Sequence, residues 1–190
     1  RARSSRTRSA SAVRDAFASL ELLTANIVPS LPGPHFTRAH EFHYHADVTA
    51  TLIDGNALSQ RFREQIAARV ADVRASGAAV ALDAVLVESG DNGARVYAEN
   101  QAKTCAALGI DYRLHLLPAT SVYDDIAGRV LLLSSEPKVT AIMLHMPLPA
   151  AVDPYRVQRL IAPEKDVEGV NPANIGNVVY GRSSLAPCTG

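Results

Sequence analysis

The sequence predicts an α/β fold: a three-layer α/β/α sandwich with a mostly parallel sheet, preceded by an irregular or helical N-terminal extension. Three observations carry this. From residue 50 onward, helical and strand patterns alternate with connections of a few residues, the order that gives a parallel sheet covered by helices. The runs AVALDAVLV (79–87) and VTAIMLH (139–145) are apolar almost throughout, as strands buried on both faces are. Right-handed crossovers then restrict the topology to helices on the two sides of one sheet.

The elements follow in order. Residues 1–48 read as a basic, Pro- and His-containing extension, and 49–190 as the folded domain. Ala10 to Leu23 can form one helix, but Pro29, Pro32, Gly33 and Pro34 break regular structure after it. His35, His40, His43 and His45 then crowd into HFTRAHEFHYH. They lack an HExxH motif or a cysteine partner, so no metal is expected. Leu58, Phe62, Ile66, Val70 and Val73 recur at helical spacing and predict a helix over 56–76. A strand follows over 79–87, then a helix from Ala94 to Leu108 that stops at Gly109, where glycine commonly ends a helix. IDYRLHLL (110–117) reads as a strand. Ser121 is expected to cap a helix over 122–135, with Asp124 and Asp125 in its first turn. The strand 139–145 ends before Pro147 and Pro149. Val152 to Ile161 is expected to be a short helix, and Asn171-Pro172 opens a last helix toward Tyr180. Ligands of such sheets sit beyond the carboxyl ends of the strands. Here those ends are Glu88 to Asp91, the turn after Leu117, and His145-Met146-Pro147.

Composition limits the function. The chain has 190 residues, 47% hydrophobic and 20% charged, which excludes a wholly disordered chain and fits one domain with an arm. It has no apolar run of 18 residues, so no membrane-spanning helix is expected. A formal net charge of zero gives no general attraction to nucleic acid. Cys105 and Cys188 are too few for a disulfide scaffold and fit a reducing compartment. The zero conceals an asymmetry. Arg1, Arg3, Arg6, Arg8 and Arg14 lie in an acid-free tip rich in Ser and Ala, the composition of an organelle-targeting segment. A mitochondrial location is therefore expected.

Three stretches together resemble one family. They are VESGDNGARVYAENQAKTCAALGID (87–111), AIMLHMPLPAAVD (141–153) and IAPEKDVEGVNPANIGNVVYGRSSLAPCTG (161–190). With the opening TLIDGNALSQ (51–60), they are similar to the bifunctional methylenetetrahydrofolate dehydrogenase/cyclohydrolase family. Members have a folate-binding catalytic lobe and a Rossmann lobe for NAD(P). This sequence resembles only the first lobe and contains no G-x-G-x-x-G. No cofactor is expected in this chain, and NAD(P) only with a further C-terminal domain.

The resemblance assigns positions one by one. Tyr97 matches the tyrosine that stacks on the folate. One turn later, on the same helix face, the family's catalytic lysine is here Gln101. The nearest lysine, Lys103, points elsewhere on the helix. The glutamine that tunes the lysine is here His145. The second acid of D-V-D-G, which holds the pterin, is here Glu168. Pro147 and Leu148 belong to the P-L-P turn at the substrate, and Ala94 stands where serine is common. Glutamine hydrogen-bonds but supplies neither charge nor proton, and loss of a general acid or base typically costs a factor of about 100 to 10,000. An imidazole at 145 titrating near neutral pH would offer one compensation.

The resemblance, read with these replacements, implies an inactive accessory subunit of an organellar assembly, with other protein subunits as partners and a tetrahydrofolate derivative as the candidate ligand. The alternative is an active dehydrogenase/cyclohydrolase seen as a fragment.

Overall fold

The computed structural model describes residues 53–90, 92–182 and 185–187. The expectations for the 1–48 extension, its four histidines, Asp91 and Cys188 lie outside these residues. Within them, eight elements run in the order α1 (Gly55–Ala75), β1 (Ala81–Val87), α2 (Asn92–Leu108), β2 (Asp111–Leu117), α3 (Tyr123–Ser135), β3 (Ala141–Leu144), α4 (Pro154–Gln158) and α5 (Pro172–Val179).

The three strands form one parallel sheet in the order β2-β1-β3. Ala81 to Val87 pair in register with Asp111 to Leu117, and Leu82 to Val85 with Ala141 to Leu144. Successive strand residues point to opposite faces, and the core divides accordingly. Leu82, Ala84 and Met143 pack under α1 and α2 with Ile66, Val70, Val73, Cys105 and Leu108. Val85, Val87, Ile142 and Leu144 face the other side, with Ile126, Val130 and Leu133 of α3 and Val157 of α4. This is the predicted sandwich.

Local chemistry sets the ends of the helices. The Asp54 carboxylate accepts from the backbone N–H groups of Asn56 and Ala57, both at 3.0 Å, and so caps α1. Gly109, at φ +76°, turns the chain out of α2, a backbone state that favours glycine. Two sequence expectations change. Ser121 does not cap α3: Val122 takes the cap position, and its backbone N–H donates to Asp125 Oδ2 at 2.9 Å. A carboxylate three residues inside the helix thus pairs the cap residue's own N–H, the reciprocal half of a capping box. The helix expected over 152–161 is confined to Pro154–Gln158, because Pro154 fits only the first turn and Asp153 caps it.

Two polar clusters lock the frame. Lys165 Nζ donates to the carbonyls of Leu133, Ser134 and Glu136 at 3.3, 2.8 and 2.7 Å, closing the C-terminal end of α3. Burial lowers the Lys165 pKa, against the raising influence of Glu164, Glu136 and Asp83. Asp166 Oδ2 accepts from the Asn171 backbone and from Asn174 Nδ2, each at 2.8 Å, while Ile142 N–H donates to Lys165 O at 2.7 Å along the free edge of β3. The loop after α4 is therefore stitched to the sheet just before it reaches Glu168.

Candidate functional site

Cavities open along the carboxyl ends of the strands, as the topology requires. One of about 430 Å³ lies between Leu117 and α3, and one of about 300 Å³ between Glu88, Arg95 and Leu116. A third, of about 310 Å³, lies between the start of α2 and the end of β3, and its walls include Ala94, Tyr97, Met143, His145, Met146 and Glu168. It gathers three of the six residues singled out from the sequence: Tyr97, His145 and Glu168.

Each wall has its own origin. Tyr97 projects from the first turns of α2 and meets the His145 ring edge-on, with centroids 5.7 Å apart and planes at 76°. His145 ends β3, where its backbone N–H still donates to Val85 O at 2.8 Å. Its ring is 5% exposed, and its Nε2 has no hydrogen-bond partner among the described residues. Glu168 arrives on the stitched loop, and its Oε2 accepts from Leu144 N–H at 3.3 Å. Gly169 follows at φ +68°. A Cβ there would lie 2.8 Å from the Pro187 backbone nitrogen, so the loop passes directly against the segment 185–187.

The other three sit apart from these walls. Gln101 is 1% exposed behind the cavity, where its Nε2 contacts Met143 Sδ at 2.9 Å and its Oε1 is unpartnered among the described residues. Pro147 follows a cis peptide bond and is exposed. Leu148 is buried in the hydrophobic cluster under α3 rather than on the cavity wall.

The electrostatics are those of an uncharged interior with one carboxylate. Desolvation pushes the His145 imidazole down to about 4, so it stays neutral at pH 7 and does not titrate near neutrality as the sequence alone allowed. Its compensation for a missing lysine, by proton transfer at physiological pH, loses its basis. Lys103 is exposed on the outer side of α2. No lysine or arginine lines the cavity among the described residues. Among the described residues the arrangement offers an aromatic face, a neutral imidazole and a carboxylate.

Sequence reasoning missed one buried charged group. Asp83 is 1% exposed at the middle of the sheet, its Oδ2 2.7 Å from Arg113 Nη2 and its Oδ1 2.8 Å from His115 Nε2. The Arg113 pKa is raised, first by this hydrogen bond. The signal was present: Arg113 and His115 alternate in DYRLHLL and so share one face of β2.

A parallel α/β/α sandwich with a ligand-sized cavity beyond its strand ends defines a class of small-molecule-binding domain. Comparison makes the class particular. The tetrahydrofolate dehydrogenase/cyclohydrolase catalytic domain matches residues 53–168, and the chain belongs to that family. The bifunctional protein FolD of Burkholderia multivorans is 42% identical over 143 residues, covering 75% of this chain and 50% of that protein. FolD of Burkholderia thailandensis matches to the same extent. The chain thus spans about half the length of the curated relatives it matches. Among solved structures, the Campylobacter jejuni FolD methylenetetrahydrofolate dehydrogenase/cyclohydrolase superposes with a TM-score of 0.70 at 27% identity, over 73% of this chain and 49% of that one. The Trypanosoma brucei FolD, solved with NADP and an inhibitor, gives 0.67 at 26%, over 74% and 48%.

Proposed function

We propose that this domain holds a folate without turning it over and serves as an accessory subunit of a larger mitochondrial assembly. Gln101 is the observation that carries the reading. It is buried on α2 one turn after Tyr97, where the family resemblance calls for a catalytic ammonium. An amide neither protonates a ring nitrogen nor supplies a positive charge there. The cavity itself persists, with Tyr97 and Glu168 in its walls, which supports retained binding.

Other features support the subunit role. Ile175, Val178, Val179 and Tyr180 are exposed along and just after α5, an apolar surface of the kind partners cover. The arginine-rich tip supports import into an organelle. Active enzymes among the relatives favour a second reading, catalysis by a protein of which these residues are one part, with NAD(P) held by a further domain.

Turnover of 5,10-methylene- and 5,10-methenyltetrahydrofolate by the purified chain tests the choice. We expect no turnover above the uncatalysed rate, and cyclohydrolase activity appearing in Gln101→Lys. Turnover by the unaltered chain overturns the reading. Migration of the endogenous protein only within a much larger complex, in mitochondrial fractions, is the expected result for the subunit role. A small free species in the cytosol overturns it.

A further inference from the structure

We propose that the groove between the turn after β2 and α3 is a second binding site, taking a small organic monocarboxylate with an apolar body, which Arg129 and Ser121 hold over the bare backbone of Gly128. The groove has a volume of about 430 Å³, a size within the range of ligand sites. No described residue lines both this groove and the Tyr97–His145–Glu168 cavity, so what that cavity binds has no bearing on it.

The polar groups of the groove are left open. Asp125 and Arg129 are four residues apart on α3, a spacing at which an acid and a base commonly pair. Here they do not. Asp125 Oδ2 accepts from Val122 N–H at 2.9 Å at the start of the helix. Arg129 is half-buried and has no hydrogen bond or ion pair among the described residues. On the turn, Ser121 is 7% exposed. Its backbone N–H donates to Pro118 O at 3.0 Å, while its hydroxyl has no partner among the described residues. A guanidinium and a buried hydroxyl, both without partners, thus line one concavity.

Gly128 opens the floor. It lies within α3 and its φ is not positive, so no backbone conformation requires glycine there. A Cβ would meet nothing within 4 Å, so no close packing requires it either. Glycine inside a helix is destabilising relative to alanine. What it yields at this position is open space beside Arg129.

The walls specify the ligand. A guanidinium matches a carboxylate with two parallel hydrogen bonds, and a serine hydroxyl can donate one more. Asp125 leaves one anion beside the one cation, which opposes a doubly charged phosphate more than a singly charged carboxylate. Leu117, Pro118 and Leu132 offer apolar surface to the rest of the molecule.

Hexanoate and its uncharged isostere hexanamide are titrated into the 190-residue chain and followed by amide chemical shifts. We expect hexanoate to bind about tenfold more tightly, as one charge-assisted pair at a half-open site allows. The shifts should centre on Ser121, Gly128 and Arg129. Arg129→Gln should bring the two ligands level. Gly128→Leu should abolish binding by filling the floor, with a melting temperature no lower than that of the unaltered chain, because leucine is the better helix former. Equal affinities, shifts centred on Tyr97 and His145, or binding of neither ligand overturn the proposal. So does binding that survives in a folded Gly128→Leu protein.

Discussion

Two buried polar groups on neighbouring strands of the same sheet are treated in opposite ways. Asp83, in the middle of β1, is held through both oxygens by Arg113 and His115. His145, at the end of β3, is nearly as buried yet among the described residues its Nε2 has no partner, and neither has Gln101 Oε1 behind it. A buried polar group without a partner typically costs about 1 to 3 kcal/mol, so a fold that completes one cluster and leaves the other open is not short of ways to pair such groups. The completed cluster serves the frame. The open one lies at the cavity, while Tyr112 Oη and Asp166 Oδ1, which do not line it, also lack partners among the described residues.

The contrast can be broken from either side. Arg113→Met removes the strongest partner of a carboxylate that cannot reach water. Loss of one member of a fully buried pair typically costs about 3 to 5 kcal/mol; the Arg113 side chain is 47% exposed and His115 stays, so we expect the low end, about 3 kcal/mol, in urea unfolding. A loss under 1 kcal/mol would mean that His115 alone suffices.

At the open end, the effect depends on pH. An unfolded histidine takes up a proton near pH 6.5, whereas His145 in the fold does so only near pH 4. Between these values the unfolded state binds more protons, so stability falls as pH falls through this window. The depression corresponds to about 3 kcal/mol. His145→Gln should remove this contribution, seen as a shallower fall in melting temperature from pH 7 to 4 than in the unaltered chain. Parallel curves for the two proteins would place the imidazole in water.

Smaller effects test the frame around the cavity. Lys165→Met frees three carbonyls at the end of α3 that solvent can partly satisfy, and should cost about 1 to 2 kcal/mol. It should also loosen the loop carrying Glu168, read as faster amide exchange at Leu144. Asp54→Ala removes the α1 cap and should cost about 1 kcal/mol with no effect on ligand binding. A change in binding there would mean that α1 reaches the site.

Most of the fold was legible because its apolar runs and helical spacings have different periods. The start of α3 was not, because a serine before a helix resembles a cap whether or not its side chain turns to the helix. Asp83 was hidden inside AVALDAVLV, where eight apolar neighbours made the run look uniformly hydrophobic; only its cross-strand partners explain it. At the site, the resemblance located Tyr97, His145 and Glu168, which converge on one cavity. It did not separate Leu148 from them, because a residue three places beyond His145 has already turned to the other side of the sheet. Nor does sequence spacing report burial, which is what keeps His145 neutral.

The glycine after Glu168 has a mechanical consequence. Because the backbone of Ala186 and Pro187 fills the space where its side chain would be, the loop bearing the cavity's carboxylate and the segment 185–187 lean on one another without slack. A side chain at 169 would force the two apart, so any residue other than glycine there should displace the carboxylate from the cavity wall.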